Sequence, residues 1–204
     1  MKSLKVHLLR HGLTDGNKNG QYIGVTDLPL NKEGIEELNW LKINAVYPDV
    51  RIGFVSPLLR CRQSMEILYP DINPIVVDNL REYNFGRFEG KTAHELEKDA
   101  DFIKWTSGKA DSPPGGEPGR DFKIRTCLAL NQVVNHLLSS GENEGVVITH
   151  GGVIASILSA CAVPRKPIFR WLCQNGRGYT VRILPSLYQR SGLIEVIEEI
   201  PFGG

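Results

Sequence analysis

The chain has 204 residues, of which 41% are hydrophobic and 23% are charged, and its formal net charge is +1. This length suits one domain with a sizeable core, and the composition is that of an ordinary globular protein. Because the positive and negative charges balance, the net charge gives no reason to expect a nucleic acid or a membrane surface as partner. Any site that binds an anion must therefore be formed by a local group of positive side chains.

Apolar periodicity predicts alternating strands and helices along most of the chain. In chain order, the pattern predicts a strand at 4–9, a helix at 32–46, a strand at 52–55, a helix from Pro57 to Pro70 and a strand at 75–77. It then predicts a helix at 92–105, a Gly/Pro-rich loop at 108–120, a helix at 121–139, a strand at 145–149 and a helix at 153–161. Alternating strands and helices predict an α/β fold, a three-layer α/β/α sandwich with a mostly parallel sheet.

The last forty residues predict a different kind of pairing. Two alternating stretches, 179–184 and 193–197, flank the segment 185–192, and this pattern is typical of a terminal hairpin with antiparallel strands. The exposed edge of such a hairpin can pair with a strand of a second chain, so a homodimer is possible. Nothing after the loop 108–120 has the pattern of an independent core, so we expect a single domain over residues 1–204.

Polar side chains stand at four predicted strand-to-helix junctions, and they are Arg10 and His11, Arg60, Glu82, and His150. The carboxyl ends of parallel strands lie along one edge of a sheet, so these residues are expected to converge. A neutral imidazole can attack phosphorus, and guanidinium groups can hold phosphate oxygens in a fork. The junctions therefore predict a phosphate site.

The set suits phosphoryl transfer through a covalent phosphohistidine. We expect His11 to attack, while Arg10, Arg60 and His150 neutralise the transition state, and Glu82 to protonate the leaving oxygen and later deprotonate water. With three positive groups in place, the sequence predicts neither a metal ion nor a cofactor.

Several motifs carry a resemblance to a known family. These are residues 10–17 (R-H-G-L-T-D-G-N), 24–34, 56–64 around Arg60, 80–90 around Glu82, 113–117 and 149–152. In this order they resemble the histidine phosphatase superfamily, in its phosphoglycerate-mutase-like branch. The resemblance runs from about residue 4 to about residue 160 and implies a single histidine-phosphatase-like catalytic domain.

The resemblance also implies residues that bind the substrate, which are Asn17, Ile23, Gly24, Glu117 and Gly151. Ile23 departs from the pattern because mutase-like members often have threonine there. Pro118 departs as well, since serine is usual after Gly-Gly-Glu.

The resemblance implies a phosphatase that acts on a small phosphorylated metabolite. Three alternatives stay open, namely a phosphoglycerate mutase, an α-ribazole phosphate phosphatase, and a non-catalytic module that binds phospho-ligands. The mutase is disfavoured because its members carry extra segments that enclose a bisphosphate.

The cysteines and the N-terminus bear on the compartment. Four cysteines stand at 61, 127, 161 and 173 without a C-x-x-C pair, a pattern that favours reduced thiols. The N-terminal apolar stretch breaks at His7 and is too short for a signal peptide, and no apolar run approaches the roughly twenty residues of a membrane span. We therefore expect a cytoplasmic protein.

Overall fold

The computed structural model describes residues 3–202, and within them seven strands form one sheet. The strands are β1 (Leu4–Arg10), β2 (Gly53–Val55), β3 (Ile75–Val76), β4 (Glu144–Thr149), β5 (Ala162–Val163), β6 (Gly178–Ile183) and β7 (Ile194–Ile200). Their order across the sheet is β3-β2-β4-β1-β6-β7-β5. Strand β6 runs antiparallel to its neighbours β1 and β7, while the other pairs are parallel. The predicted α/β class with a mostly parallel sheet is confirmed.

Eight α-helices connect and cover these strands in the described residues. They are α1 (Asp15–Lys18), α2 (Lys32–Asn44), α3 (Leu59–Leu68), α4 (Ala93–Leu96), α5 (Ala100–Thr106), α6 (Gly119–Ser140), α7 (Gly151–Cys161) and α8 (Pro185–Ser191). Single 3₁₀ turns lie at Asp78–Leu80, Gly86–Phe88 and Ile168–Trp171. Over residues 3–202, no helix combines the length and the apolar character that a membrane crossing needs.

The sheet separates two apolar cores, because successive side chains of a strand point to opposite faces. On one face, Leu8 of β1 and Val147 of β4 pack in the same cluster as residues of α6, α7 and α8. On the other face, Leu9 of β1 and Ile148 of β4 pack with residues of α2 and α3. Helices on both faces of one sheet make the predicted three-layer sandwich.

Some local predictions were wrong. The helix predicted at 92–105 is two helices, because the Asp99 side chain accepts hydrogen bonds from the backbone N–H groups of Asp101 and Phe102 and so starts α5 afresh. The helix expected from Pro57 begins at Leu59, with Leu58 as its N-cap. The long helix begins at Gly119, two residues before its predicted start.

The terminal strands pair as predicted, but their connection is not a turn. Strands β6 and β7 are antiparallel neighbours, and the chain between them forms α8, which begins with Pro185 and ends at Gly192 in the left-handed region. The outer edge of β7 pairs with the short strand β5, which the sequence did not predict. The homodimer and the single domain over 1–204 stay predictions.

The sheet register decides where the site lies. Strands β1 and β4 are parallel neighbours with Arg10 opposite Thr149, so His11 and His150 leave the sheet side by side. The backbone N–H of His11 donates to the carbonyl of Thr149 at 2.9 Å. Strand β2 lies on the other side of β4 and leads into α3, which carries Arg60. The carboxyl ends of these strands thus meet at one edge.

Candidate active site

His11 is held as a neutral imidazole with one nitrogen available. Its Nδ1 lies 2.7 Å from the carbonyl oxygen of Gly12, which can only accept, so Nδ1 carries the proton and Nε2 has a lone pair. Burial, and then the cations Arg60 and Arg10, hold the pKa of His11 well below its usual value. This is the tautomer and protonation state of a nitrogen nucleophile.

Arg60 is a buried cation in direct contact with the His11 imidazole. Its Nε donates to His11 Nε2 at 3.3 Å, while Nη1 and Nη2 donate to the carbonyls of Thr26 and Gly24 at 2.9 and 2.7 Å. Burial lowers the pKa of Arg60 from its usual value, yet a guanidinium keeps its charge in proteins. The loop at 24–26 therefore fixes the planar group beside His11.

Arg10 offers an unused donor to the same region. Its Nη1 donates to the carbonyl of Cys173 at 2.8 Å, while its buried Nε has no hydrogen-bond partner among the described residues. A Cβ on Gly151 would lie 3.3 Å from that Nε, so the glycine leaves room for the guanidinium. A buried donor without a partner carries a free-energy penalty, which an anionic oxygen would relieve.

Glu82 is a buried carboxyl group whose environment favours its protonated form. Its Oε1 accepts from the backbone N–H of Tyr83 and its Oε2 from that of Gly152, both at 2.9 Å. Loss of hydration on burial raises the pKa of Glu82, and this outweighs the two backbone donors and the nearby Arg60 and Arg10. Glu82 can therefore hold a proton for transfer at a pH where an exposed glutamate has lost it.

His150 packs edge-on against His11, with 5.1 Å between the ring centroids. Its Nε2 shares a hydrogen bond of 2.8 Å with Ser56 Oγ and lies 3.5 Å from Cys61 Sγ. Burial, with Arg60 and His11 adding to it, holds the pKa of His150 well below its usual value. The sequence analysis treated His150 as a positive group, whereas the buried site favours its neutral form, so it is a hydrogen-bonding group and not a fixed cation.

The site opens into a cavity of about 610 Å³. Of the residues predicted from the sequence, those in its wall are Arg10, His11, Asn17, Ile23, Glu82 and Gly151. Arg60 and His150 are fully buried next to His11 and are not part of the wall. Residues 3–202 contain no group of three or more histidine, cysteine, aspartate or glutamate side chains placed to hold a metal ion.

Two residues predicted to bind substrate have other partners in the structure. The backbone N–H of Gly24 lies 3.0 Å from Glu89 Oε2. Glu117 forms a two-point ion pair with Arg125, whose Nε and Nη2 lie 2.6 and 2.8 Å from the two carboxylate oxygens. Neither Gly24 nor Glu117 lines the cavity, and their contact with substrate stays a prediction.

Residues that the sequence analysis missed hold the candidate catalytic groups in place. Arg125 also donates to the backbone carbonyls of Asn79, Arg81 and Glu82, so it fixes the segment that carries the Glu82 side chain. Its position on the long helix gave no local signal. Gly152 could have been found from the sequence, because it is the second glycine of the His-Gly-Gly motif. In the structure its backbone N–H donates to Glu82.

Comparison with known proteins identifies the family. A model of the histidine phosphatase superfamily (branch 1) matches residues 6–186. The chain belongs to the histidine phosphatase superfamily. The resemblance seen in the motifs is confirmed, and for this superfamily member the match extends well beyond residue 160.

Curated relatives of this histidine phosphatase have several activities. Sedoheptulose 1,7-bisphosphatase of Saccharomyces cerevisiae is 27% identical over 209 residues, covering 87% of this chain and 76% of the relative. A 2,3-bisphosphoglycerate-dependent phosphoglycerate mutase of Rhizobium etli is 30% identical over 162 residues, covering 74% and 76%. The crystal structure of the α-ribazole phosphatase of Shigella flexneri superposes with a TM-score of 0.81 over 97% of this chain and 96% of the other, at 17% identity, and so bears on the fold alone.

Proposed function

We propose that the protein is a phosphatase that hydrolyses a small phosphomonoester through a phosphohistidine on His11 and needs no metal ion. The observation that carries this proposal is the state of His11. Its Nδ1 proton is committed to Gly12, its Nε2 lone pair is free of a proton, and Arg60 lies 3.3 Å away. Glu82 stands in the same cavity wall as a proton donor.

The first step transfers the phosphoryl group to the enzyme. A phosphate oxygen replaces Nε2 as the acceptor of the Arg60 Nε–H, and other oxygens engage Arg10 and Asn17. Nε2 of His11 then bonds to phosphorus while the bond from phosphorus to the ester oxygen breaks. Protonated Glu82 gives its proton to that oxygen, so the product leaves as a neutral alcohol and Glu82 becomes a carboxylate.

The second step restores the enzyme. The Glu82 carboxylate takes a proton from a water molecule, whose oxygen attacks the phosphorus of phosphohistidine. The bond between nitrogen and phosphorus breaks, inorganic phosphate leaves, and His11 regains its Nε2 lone pair. His150, which packs edge-on against His11 and bonds to Ser56, holds the ring of His11 in position through both steps.

We also infer a reducing compartment, and hence the cytoplasm. All four cysteines are free thiols. The pair that comes nearest, Cys127 and Cys161, has its sulfur atoms 4.0 Å apart, about twice the length of a disulfide bond.

A phosphoglycerate mutase is the second candidate, favoured by the 30% identity to the mutase from Rhizobium etli. A mutase needs a site that retains a phosphorylated intermediate and binds a second anionic group. Beyond Arg10, the cavity wall contributes one cation among the described residues, Lys123, and this supports the phosphatase over the mutase.

The test measures phosphate release in the presence of EDTA from p-nitrophenyl phosphate and a panel of metabolite esters that includes α-ribazole phosphate. We expect release by the wild type and a loss of about 10³-fold or more in His11→Ala, while His94→Ala, a change at an exposed histidine, keeps full activity. Full activity in His11→Ala would contradict the mechanism. Isomerisation of 3-phosphoglycerate without phosphate release would support the mutase, and binding of esters without turnover would support a non-catalytic module.

A further inference from the structure

The cavity wall outside the catalytic groups is mainly apolar. We propose that this site selects phosphomonoesters whose alcohol part is apolar, an alkyl chain or an aromatic ring, over polyol phosphates and bisphosphates. The inference rests on the proposed function and names the substrate class of the same site. It is carried by the walls of the cavity, by its rim and by its few polar groups.

One wall is a preformed aromatic surface. Tyr22, Tyr83, Phe85, Trp105 and Phe122 line it. The rings support one another, since Phe85 lies with its centroid 5.1 Å from those of both Tyr22 and Tyr83, and Phe122 lies 5.1 Å from Tyr83. Rings packed edge to face keep their positions, so the wall needs little ordering when a ligand arrives.

Another part of the lining, the apolar rim, consists of exposed apolar side chains. Ile168, Phe169 and Leu172 line the cavity from the segment between β5 and β6, and they are 53%, 64% and 61% exposed. Buried Trp171, which lies in the same segment, packs against Tyr179 and anchors it. An apolar group that contacts this rim and the aromatic wall would remove apolar surface of both from water, which favours binding.

Polar groups are too few to satisfy a polyol or a second phosphate. Outside the phosphate site, the polar side-chain groups in the lining among the described residues are few. They are Gln21, Lys123, Ser156, the hydroxyl groups of Tyr22 and Tyr83, and the indole N–H of Trp105. The Tyr83 hydroxyl is already used, since it donates to the backbone carbonyl of Glu117. The several hydroxyl groups of a polyol would lose water and find few partners in this cavity, and a second phosphate would meet a single lysine.

The dimensions allow a measurable effect. A volume of about 610 Å³ is within the usual range for small-molecule sites and holds a chain of several carbons beyond the phosphate. Each methylene group transferred from water to such a surface improves binding by about fourfold.

The experiment measures kcat/KM for ethyl, butyl and hexyl phosphate, with glycerol 3-phosphate and 2,3-bisphosphoglycerate as polar competitors. The alkyl alcohols are similarly poor leaving groups, so differences among them report binding and not bond strength. We expect kcat/KM to rise about three- to fourfold per methylene, mainly through KM, and both polar esters to be hydrolysed less efficiently than hexyl phosphate.

Phe169→Ala should reduce this dependence on chain length. Trp40→Ala, which removes a similarly exposed aromatic side chain from α2 away from the cavity, should leave it unchanged.

Direct binding of ethyl- and hexylphosphonate, measured by calorimetry, separates the two proposals. A flat or falling dependence of kcat/KM on chain length would overturn the inference and leave the phosphatase standing. Absence of turnover with every ester would overturn the phosphatase. In that case tighter binding of hexyl- than ethylphosphonate would still support the apolar site, and equal binding would overturn it too.

Discussion

Glu82 and Gly152 meet through a hydrogen bond that only a glycine permits at this distance. The backbone N–H of Gly152 donates to Glu82 Oε2 at 2.9 Å, and a Cβ on Gly152 would overlap with Oε1 of the same carboxylate. The acid is 70 residues away from the glycine in sequence, and the contact joins the segment after β3 to the first turn of α7. The position of the proton donor therefore depends on a missing side chain.

We expect Gly152→Ala to lower kcat by about 10²-fold, because the added methyl group displaces the carboxylate that protonates the leaving oxygen. The free energy of unfolding should change little. The cost of displacing Glu82 is offset by the preference for alanine over glycine inside a helix, which is up to about 1 kcal/mol. Steady-state kinetics and thermal unfolding measure the two effects. Gly119→Ala is the control for the effect of alanine in a helix on thermal unfolding, because a Cβ there meets no atom nearer than 3.8 Å at the start of α6. Wild-type kcat in Gly152→Ala would remove Glu82 from the mechanism as described.

A second prediction concerns Arg125, whose guanidinium group contacts the Glu117 carboxylate at two points. In Arg125→Lys the charge remains but the two-point contact with Glu117 and the bonds to the carbonyls of Arg81 and Glu82 are lost. We expect kcat for alkyl phosphates to fall by about tenfold to a hundredfold, because small misplacement of a catalytic group slows the reaction strongly. KM should change less. Stopped assays of phosphate release give both constants.

The control for Arg125→Lys is Arg182→Lys. This change alters the half-exposed ion pair between Arg182 on β6 and Glu195 on β7. It should leave both kcat and KM at wild-type values. If Arg125→Lys behaves like Arg182→Lys, the ion pair with Glu117 supports the fold and not the position of Glu82.

The sequence predicted the centre of the site because that centre is encoded locally. An apolar run followed by Arg10 and His11, and another followed by His150 and two glycines, each signal a buried strand that ends in a polar turn. Parallel pairing of β1 and β4 then brings the two histidines together without further information. The junction pattern also pointed to Arg60 and Glu82, and the family resemblance implied the same roles for them.

The surroundings of the site could not be predicted, since they depend on side-chain direction and on distant pairing. Arg125 on a helix has the pattern of a solvated residue, and nothing in its neighbourhood indicates Glu117 as its partner. Glu89 likewise gave no sign that it would bind the N–H of Gly24, 65 residues earlier in the chain. The apolar rim around Phe169 lies in a segment with no motif. Both the specificity and the alignment of Glu82 therefore required the structure.

The pH dependence of kcat/KM should have two limbs with assigned groups. The proposed mechanism requires neutral His11, whose pKa is lowered by burial, and protonated Glu82, whose pKa is raised by burial. After correction for the substrate phosphate, which titrates near about pH 6, we expect the rate for hexyl phosphate to fall as the pH rises through the pKa of Glu82. In Glu82→Gln this alkaline limb should disappear and the plateau should fall by about 10²- to 10⁴-fold.

The leaving group provides the check on that assignment. p-Nitrophenolate departs without needing a proton, so Glu82→Gln should reduce kcat/KM for p-nitrophenyl phosphate far less than kcat/KM for hexyl phosphate. Equal losses with both esters would show that Glu82 acts by something other than protonating the leaving oxygen. A limb that persists in Glu82→Gln would assign it to another group.

Folding stability should fall as the pH drops from about 7.5 to 5.5. Burial lowers the pKa of His7, His11 and His150 in the folded protein, so the unfolded chain binds more protons once the pH is below about 6.5, and protonation then favours unfolding. Glu82, with its raised pKa, works in the opposite direction but is one group against three.

Each histidine that responds fully contributes a slope of about 1.4 kcal/mol per pH unit to the free energy of unfolding. Urea unfolding at pH 7.5, 6.5 and 5.5 measures this slope, which should be shallower in His11→Gln than in the wild type. A slope in His11→Gln equal to that of the wild type would mean that His11 binds its proton as readily in the folded chain as in the unfolded one, and the neutral nucleophile would then lose its physical basis.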